Sequence, residues 1–344
     1  MIPQRVLVTG GSGFIAGHCI LQLLAQGHLV RTTVRSPARE AAARRVLTDA
    51  GMVHSDRLSF VAADLLREDG WAQAAAGMDV VMHVASPVLP GRVADEDEVI
   101  APARDGTLRV LRAARDAGVR RVVLTSAFHA VSWGHPHSDH VFTEADWTIL
   151  DGSGVDAYGR SKTLAERAAW DFIAAEGGGL ELTTMLPVAV MGPVMGKDVS
   201  GSNYIVQRML DGAMPVVPNL FIPVVDVRDV ASAHVTAMTI PAAAGERFLL
   251  SNGRALSLKE IGATIRAALG DAAKRVPTRA LPDIVVRIAA RFNAEMRPFV
   301  SDLGYAKKTS NDKARRVLGW TPREPREAIV AAATSMVGRT LSKS

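Results

Sequence analysis

The chain has 344 residues, of which 48% are hydrophobic and 22% charged, with a formal net charge of +5 and a sequence pI near 9.6. That length exceeds the ~100–200 residues of one ordinary domain and suits two joined units, and that composition excludes a largely disordered chain. The lone cysteine, Cys19, excludes disulfides and thiolate metal cages, and arginines scattered singly among acids argue against a nucleic-acid interface.

In chain order, Met1-Ile-Pro-Gln-Arg-Val-Leu-Val-Thr-Gly10 enters a strand without the basic, apolar and small-residue regions of a secretory leader, so a cytosolic location is expected. Short apolar runs then alternate with longer segments of helical period, the pattern of βαβ units on a parallel sheet. Strands are expected near Arg5–Val8, Leu29–Val34, Leu58–Ala62, Val80–Val84, Arg121–Thr125 and Leu182–Pro187, in a six-strand doubly wound order. Helices are expected near Phe14–Gln26, Pro37–Ala50, Val99–Ala117 and Asp156–Ala175. The densest basic group, Arg112, Arg115, Arg120 and Arg121, alternates with Asp116 and reads as a solvated face. After Pro187, Gly and Pro punctuate the chain as in a substrate loop. Helical period returns at Asp229–Met238, Ser257–Leu269, Lys313–Leu318 and Pro325–Leu341, with one short strand at Arg247–Leu250. The longest apolar runs, such as Val80–Ala85 and Ala328–Ala333, fall far short of the ~20 residues that cross a bilayer, so no membrane partner is expected.

The run Val6-Leu-Val-Thr-Gly10-Gly-Ser-Gly13-Phe-Ile-Ala16-Gly17 passes from the first strand through glycines into a helix. Such a turn lets backbone N–H groups and a helix N-terminus approach a pyrophosphate. Two registers fit, Gly11-x-Gly13-x-x-Ala16 and Thr9-Gly10-x-x-Gly13-x-x-Ala16. With this context the fold class is α/β, a Rossmann-type doubly wound parallel sheet with a smaller, mostly helical C-terminal lobe. Residues 1–187, rejoined by 221–251, form the dinucleotide domain, and 188–220 with 252–344 form the substrate lobe. The second strand ends in Arg35, where an acid would hold the ribose 2′-hydroxyl of NAD. An arginine there suits the 2′-phosphate of NADP instead, and Arg39 one turn later offers a second contact. Asp64, just past the third strand, stands where an adenine amino group would meet it.

Asp156-Ala-Tyr158-Gly-Arg-Ser-Lys162-Thr-Leu-Ala-Glu166 begins a helix, so Tyr158 and Lys162 share one face. An ammonium held near the phenol is expected to lower its pKa and to reach the nicotinamide ribose. Of the three tyrosines only Tyr158 has a lysine four residues on.

These residues carry a resemblance. The chain resembles the extended short-chain dehydrogenase/reductases, specifically the dihydroflavonol-reductase-like carbonyl reductases that include fungal methylglyoxal and aldehyde reductases. The matching pieces are Thr9-Gly-Gly-Ser-Gly-Phe-Ile-Ala16, Thr33-Val-Arg35, Ala63-Asp-Leu65, His83-Val-Ala-Ser-Pro87, Leu124-Thr-Ser126, Tyr158-x-x-x-Lys162 with Thr163-Leu-Ala-Glu166, and Leu186-Pro187 with Gly192-Pro193; looser similarity runs through Asp226–His234 to Leu318-Gly-Trp320. The resemblance implies NADPH-dependent carbonyl reduction with Tyr158 as general acid and Lys162 beside it; the apolar loop residues Val188, Val190, Met191, Val194 and Met195 favour a small hydrophobic aldehyde or ketone, and a monomer or homodimer is expected. The resemblance also implies that Gly10, Gly13, Phe14 and Ile15 hold the pyrophosphate, Arg35 and Arg39 the 2′-phosphate, and Asp64 and Leu65 the adenine. Val84, Ala85 and Ser86 would line the nicotinamide ribose, Pro187, Val188 and Val190 would flank the nicotinamide, and Ser202 would reach the cofactor from the following loop.

Two positions depart from the family. Its third glycine is Ala16, which serves helix–strand packing and tolerates alanine. Its second serine after the fifth strand, which orients the substrate carbonyl, is Ala127. Ser126, the nearest hydroxyl, is the expected replacement, with Thr125, His129 or a bound water as alternatives. A metal site in Gly134-His-Pro-His137-Ser-Asp-His140 is set aside because neighbours in a Pro-broken loop rarely converge on one ion. His83, inside an apolar strand, is expected to be a satisfied core residue. A sugar-nucleotide epimerase or dehydratase, which would keep NAD through turnover, is the enzymatic alternative; a non-catalytic dinucleotide sensor is the other. Phe128, Trp133, Met191, Met195, Tyr204 and Phe221 are candidates to line the substrate pocket.

Overall fold

Residues 2–86, 96–292 and 300–341 are described by the computed structural model. The strands β1 (Arg5–Val8), β2 (Leu29–Val34), β3 (Leu58–Ala62), β4 (Val80–His83) and β5 (Arg121–Thr125) form one parallel sheet with Glu181–Pro187 and Arg247–Leu250. Across the sheet the order is Arg247–Leu250, Glu181–Pro187, β5, β4, β1, β2, β3. Six strands were expected; Arg247–Leu250 adds a seventh at the edge beside Glu181–Pro187, with Leu250 opposite Pro187.

Alternation along each strand divides the apolar residues between two faces. Val6 and Val8 of β1, Val80 and Met82 of β4 and Val123 of β5 join one core with helix α1 (Phe14–Ala25) and the helix Val227–Ala237. Leu7, Val81, Val122 and Leu124 join the other, under α3 (Trp71–Ala75), α4 (Asp97–Asp116) and α5 (Ala157–Glu176). Helices on both faces explain why β4 is buried at all four residues and reads as a continuous apolar run. A third cluster gathers Met191, Val206, Met209 and Val224 with Leu256, Ile261, Ile265 and Ile329, drawn from the helices Asn203–Leu210, Leu258–Leu269 and Pro325–Leu341 and the short strands around them.

Residues 37–49 begin as a tight 3₁₀ turn at Pro37–Arg39 before helix α2 (Glu40–Asp49). The helices α3, Asn203–Leu210 and Asp283–Phe292, and the strand pair of Ala189–Met191 with Val224–Asp226, are additional to the sequence reading. The basic group around Asp116 is not uniformly a solvated face. Arg121 is 2% exposed; it pairs with Glu181 and donates to the carbonyls of Ala237 and Ile240 at the end of the helix Val227–Ala237. Cys19 is buried in α1, and burial pushes its thiol up to about 12, the behaviour of a small core hydrophobe.

Candidate active site

The strand order turns between β1 and β4, so a crevice opens at the carboxyl ends of these strands, where open α/β sheets bind ligands. The glycine turn sits there. Gly10 has φ +75°, and a Cβ on it would stand 3.0 Å from Ala85 Cβ, so both conformation and space require glycine. A Cβ on Gly11 would strike the Thr32 side chain, and Gly13 caps α1 with no side-chain bond and no acid in the first turn. A Cβ on Gly13 would also press on the Gly10 carbonyl oxygen at 3.1 Å. The first N–H groups of α1, at Phe14 and Ile15, have no side-chain cap and lie at the positive end of the helix dipole, which suits an anion. Ala16 is buried in the core between helix and sheet, as its packing role requires.

Thr9 and His83 hold the two strand ends together. The Thr9 hydroxyl accepts from the N–H groups of Val84 (3.1 Å) and Ala85 (2.9 Å), so its own proton goes to His83 Nδ1 at 2.9 Å. Burial, then the charge of Lys162, push His83 down to about 3, and the neutral ring is satisfied as expected.

Arg35 and Arg39 are exposed beyond β2, and neither guanidinium has a partner among the described residues. The Gly10–Gly13 turn, the uncapped α1 and two unpaired arginines fit a phosphorylated dinucleotide. Asp64 is half-buried, with Oδ1 accepting from Leu66 N in a local turn, and the Leu65 side chain lies in the core against Gly106. Pro187 and Val188 are buried at the strand end, Val190 is half-buried, and Ser202 precedes the helix Asn203–Leu210 without capping it by its side chain. Of the motif beginning at His83, Pro87 lies outside the described residues.

Helix α5 is capped by Asp156, whose carboxylate accepts from Gly159 N at 2.7 Å. Tyr158 follows at 37% exposure, and Lys162 one turn later reaches across to Ser86, Nζ to Oγ 3.0 Å. The lysine thus ties α5 to the end of β4, with Nζ 5.8 Å from the Tyr158 ring centroid. Burial pushes Lys162 down to about 8, against the pull of Glu166. The phenol moves opposite to expectation. Burial, then the Asp156 carboxylate, push Tyr158 up to about 12, and the Lys162 ammonium donates to Ser86.

The end of β5 also differs from expectation. Ser126 Oγ donates to Glu166 Oε2 at 2.6 Å, inside a buried network in which Arg247 Nε (2.8 Å) and Thr184 Oγ1 (2.9 Å) reach Glu166 Oε1. Ser126 therefore has its proton committed to this ion pair. Thr125 and His234 lie 2.7 Å apart; His234 Nδ1 donates to the Val230 carbonyl, so its Nε2 accepts the Thr125 proton. Next along the chain, the His129 ring stacks on Trp133 at 3.8 Å and stands edge-on to Tyr158 at 4.9 Å, while Lys307 Nζ lies 4.0 Å over the Trp133 ring. The Glu166–Arg247 pair and Lys307 are new to the reading; Glu166 was visible four residues after Lys162, whereas Lys307 has no local signal.

The candidate pocket residues divide. Trp133 is half-buried and stacks on His129 beside Tyr158, whereas Phe128 and Met191 are buried in separate cores, Tyr204 is exposed, Phe221 is half-buried on a short strand, and Met195 lies against Gly17. The apolar loop after Pro187 is largely interior, with Val188 and Val194 buried too. The histidines of 134–140 go to separate partners: His135 to the Trp147 carbonyl, His137 onto the Tyr305 ring, His140 to Asp146.

A profile of the NAD dependent epimerase/dehydratase family matches residues 6–250. The ketoreductase azaE of Aspergillus niger is 31% identical over 98% of both chains. Cinnamoyl-CoA reductase 1 of Arabidopsis thaliana is 36% identical over 73% of this chain and 71% of its own. The crystal structure of Gre2 from Candida albicans in complex with NADPH superposes with a TM-score of 0.80 at 27% identity, over 98% of this chain and 99% of that one. The looser similarity at 226–234 and 318–320 corresponds to one contact, in which Trp320 Nε1 donates to the Asp229 carbonyl and Arg323 pairs with the Asp229 carboxylate. This chain belongs to the NAD dependent epimerase/dehydratase family, and relatives that match it along most of its length are reductases.

Proposed function

We propose that this protein is an NADPH-dependent carbonyl reductase acting on a small hydrophobic aldehyde or ketone, with Tyr158 as the proton donor. The observation that carries the reading is the placement of Tyr158 and Lys162 on one face of α5, bound through Ser86 to the strand end beside the glycine turn. When bound, NADPH supplies the hydride. The N-terminus of α1 and the turn at Gly10–Gly13 hold its pyrophosphate, and Arg35 with Arg39 hold the 2′-phosphate. Lys162 holds the nicotinamide ribose together with Ser86. The Tyr158 hydroxyl donates its proton to the carbonyl oxygen as charge develops there, and a phenol kept protonated by its surroundings is suited to reduction. The aromatic wall of Trp133 and His129 supports an apolar substrate.

Tyr158→Phe removes only the hydroxyl. NADPH binding, read by cofactor fluorescence, should persist while turnover of the best member of a panel of aldehydes, keto esters and aryl ketones falls by ~10²–10⁴. Parental turnover in that variant would show that the proton comes from elsewhere.

A further inference from the structure

The carbonyl oxygen of a bound substrate needs more than one hydrogen-bond donor, since polarisation by a second donor is worth ~10²–10³ in turnover. Around Tyr158 the obvious hydroxyls are engaged. Ser126 donates to the ion-paired Glu166, and Thr125 donates to His234. Ala127 has no donor beyond its backbone. The polar side chain that meets the Tyr158 ring edge-on, with no side-chain hydrogen bond of its own among the described residues, is His129.

Its ring is held from several sides. The plane lies within 14° of the Trp133 ring at 3.8 Å, and the Tyr158 ring meets it edge-on at 80°. Its backbone is pinned as well, because the His129 carbonyl accepts from Thr148 Oγ1 at 2.6 Å. Yet neither ring nitrogen has a hydrogen-bond partner among the described residues, although His18, His83, His135, His140 and His234 each have one. A half-buried imidazole fixed by stacking, with unpartnered nitrogens next to the proton donor, is arranged to meet a ligand. Burial, then the charges of Lys307 and Lys162, push it down to about 3, so at neutral pH it carries one N–H and no charge.

We infer that the His129 imidazole donates the second hydrogen bond to the substrate carbonyl oxygen, beside Tyr158. This rests on the reductase reading and assigns one more catalytic residue within it. The proton on His129 stays on the ring; the oxygen takes its proton from Tyr158, and His129 stabilises the charge that develops before that transfer.

His129→Phe preserves a flat ring on Trp133 and the edge against Tyr158 while removing both nitrogens. Turnover at saturating NADPH should fall ~10²-fold, with the NADPH dissociation constant and melting temperature near parental. His129→Asn, which keeps a donor on a smaller side chain, should retain more turnover than His129→Phe and guards against a stacking defect in either variant. Parental turnover in His129→Phe, or equal losses in both variants, would overturn the assignment. Tyr158→Phe run alongside separates this from the broader reading: an inactive Tyr158→Phe beside a fully active His129→Phe leaves a reductase whose carbonyl is polarised by another group.

Discussion

Charge at single residues is expected to set both cofactor choice and the pH dependence of cofactor binding. Arg35 and Arg39 are exposed and unpaired among the described residues, so a 2′-phosphate would gain their charge without breaking an existing ion pair. NADPH should be preferred over NADH, and Arg35→Asp should erode that preference by about ten- to a hundredfold, the loss of one charge-assisted contact worth ~1.5–3 kcal/mol. Equal kcat/KM with both cofactors in the parent enzyme would refute it. Lys162, pushed down to about 8, is charged below that value and neutral above it. If only the ammonium binds the ribose, NADPH affinity should weaken about fivefold between pH 8 and 9 and change little between 6 and 7. Fluorescence titrations that stay flat across this range would show that Lys162 does not bind through its charge. The types and order of these residues were legible in the sequence, but side-chain destinations were not. Ser126 looks like a spare hydroxyl until the fold brings Glu166 and Arg247 under it, and nothing local to Lys162 says that it reaches across to Ser86.

At the scale of elements, the position of Tyr158 depends on how α5 begins. Asp156 caps the helix through Gly159 N, and a Cβ on Gly159 would sit 3.2 Å from the capping oxygen. Asp156→Ala should lower the unfolding free energy by ~1 kcal/mol in urea titrations, whereas Asp156→Asn, which keeps an acceptor, should stay within a few tenths. An alanine variant as stable as the parent would mean that solvent satisfies the helix end equally well. Long elements were legible because each shows its period over many residues: β1, β2, β3 and β5 have the bounds read from the sequence, and α1 ends one residue early. The short ones were not. Two-residue strands such as Phe221–Ile222 and Leu256–Ser257 exist only because they pair with each other across the lobe. Five-residue α3 is too brief to show a helical period, and the edge place of Arg247–Leu250 follows from tertiary pairing.

Across the whole molecule, two buried histidines join the layers that form the cleft, and both are neutral. His83, 1% exposed, ties β4 to β1 through Thr9; His234, fully buried, ties the helix Val227–Ala237 to β5 through Thr125. Burial, then Lys162, push His83 to about 3, and burial, opposed by the Val230 carbonyl, pushes His234 to about 4. An unfolded histidine titrates near 6.5, so below that pH the unfolded chain takes up protons that the folded chain refuses. Both folded values are depressed; the stability they contribute is complete above about 6.5 and is lost as pH falls toward about 3–4. Each histidine removes up to ~1.4 kcal/mol per pH unit in that window, and two remove ~3, a large part of the ~5–15 kcal/mol of an ordinary fold. Unfolding free energy from urea titrations without cofactor should therefore fall steeply from pH 6.5 to 4.5. His234→Gln will lower stability at every pH, but it should also flatten that slope by ~1.4 kcal/mol per pH unit, since one refused proton has been removed. A parent protein whose stability is level between pH 6.5 and 4.5 would show that the interior admits the imidazolium, and that the ties at Thr9 and Thr125 do not require neutral rings.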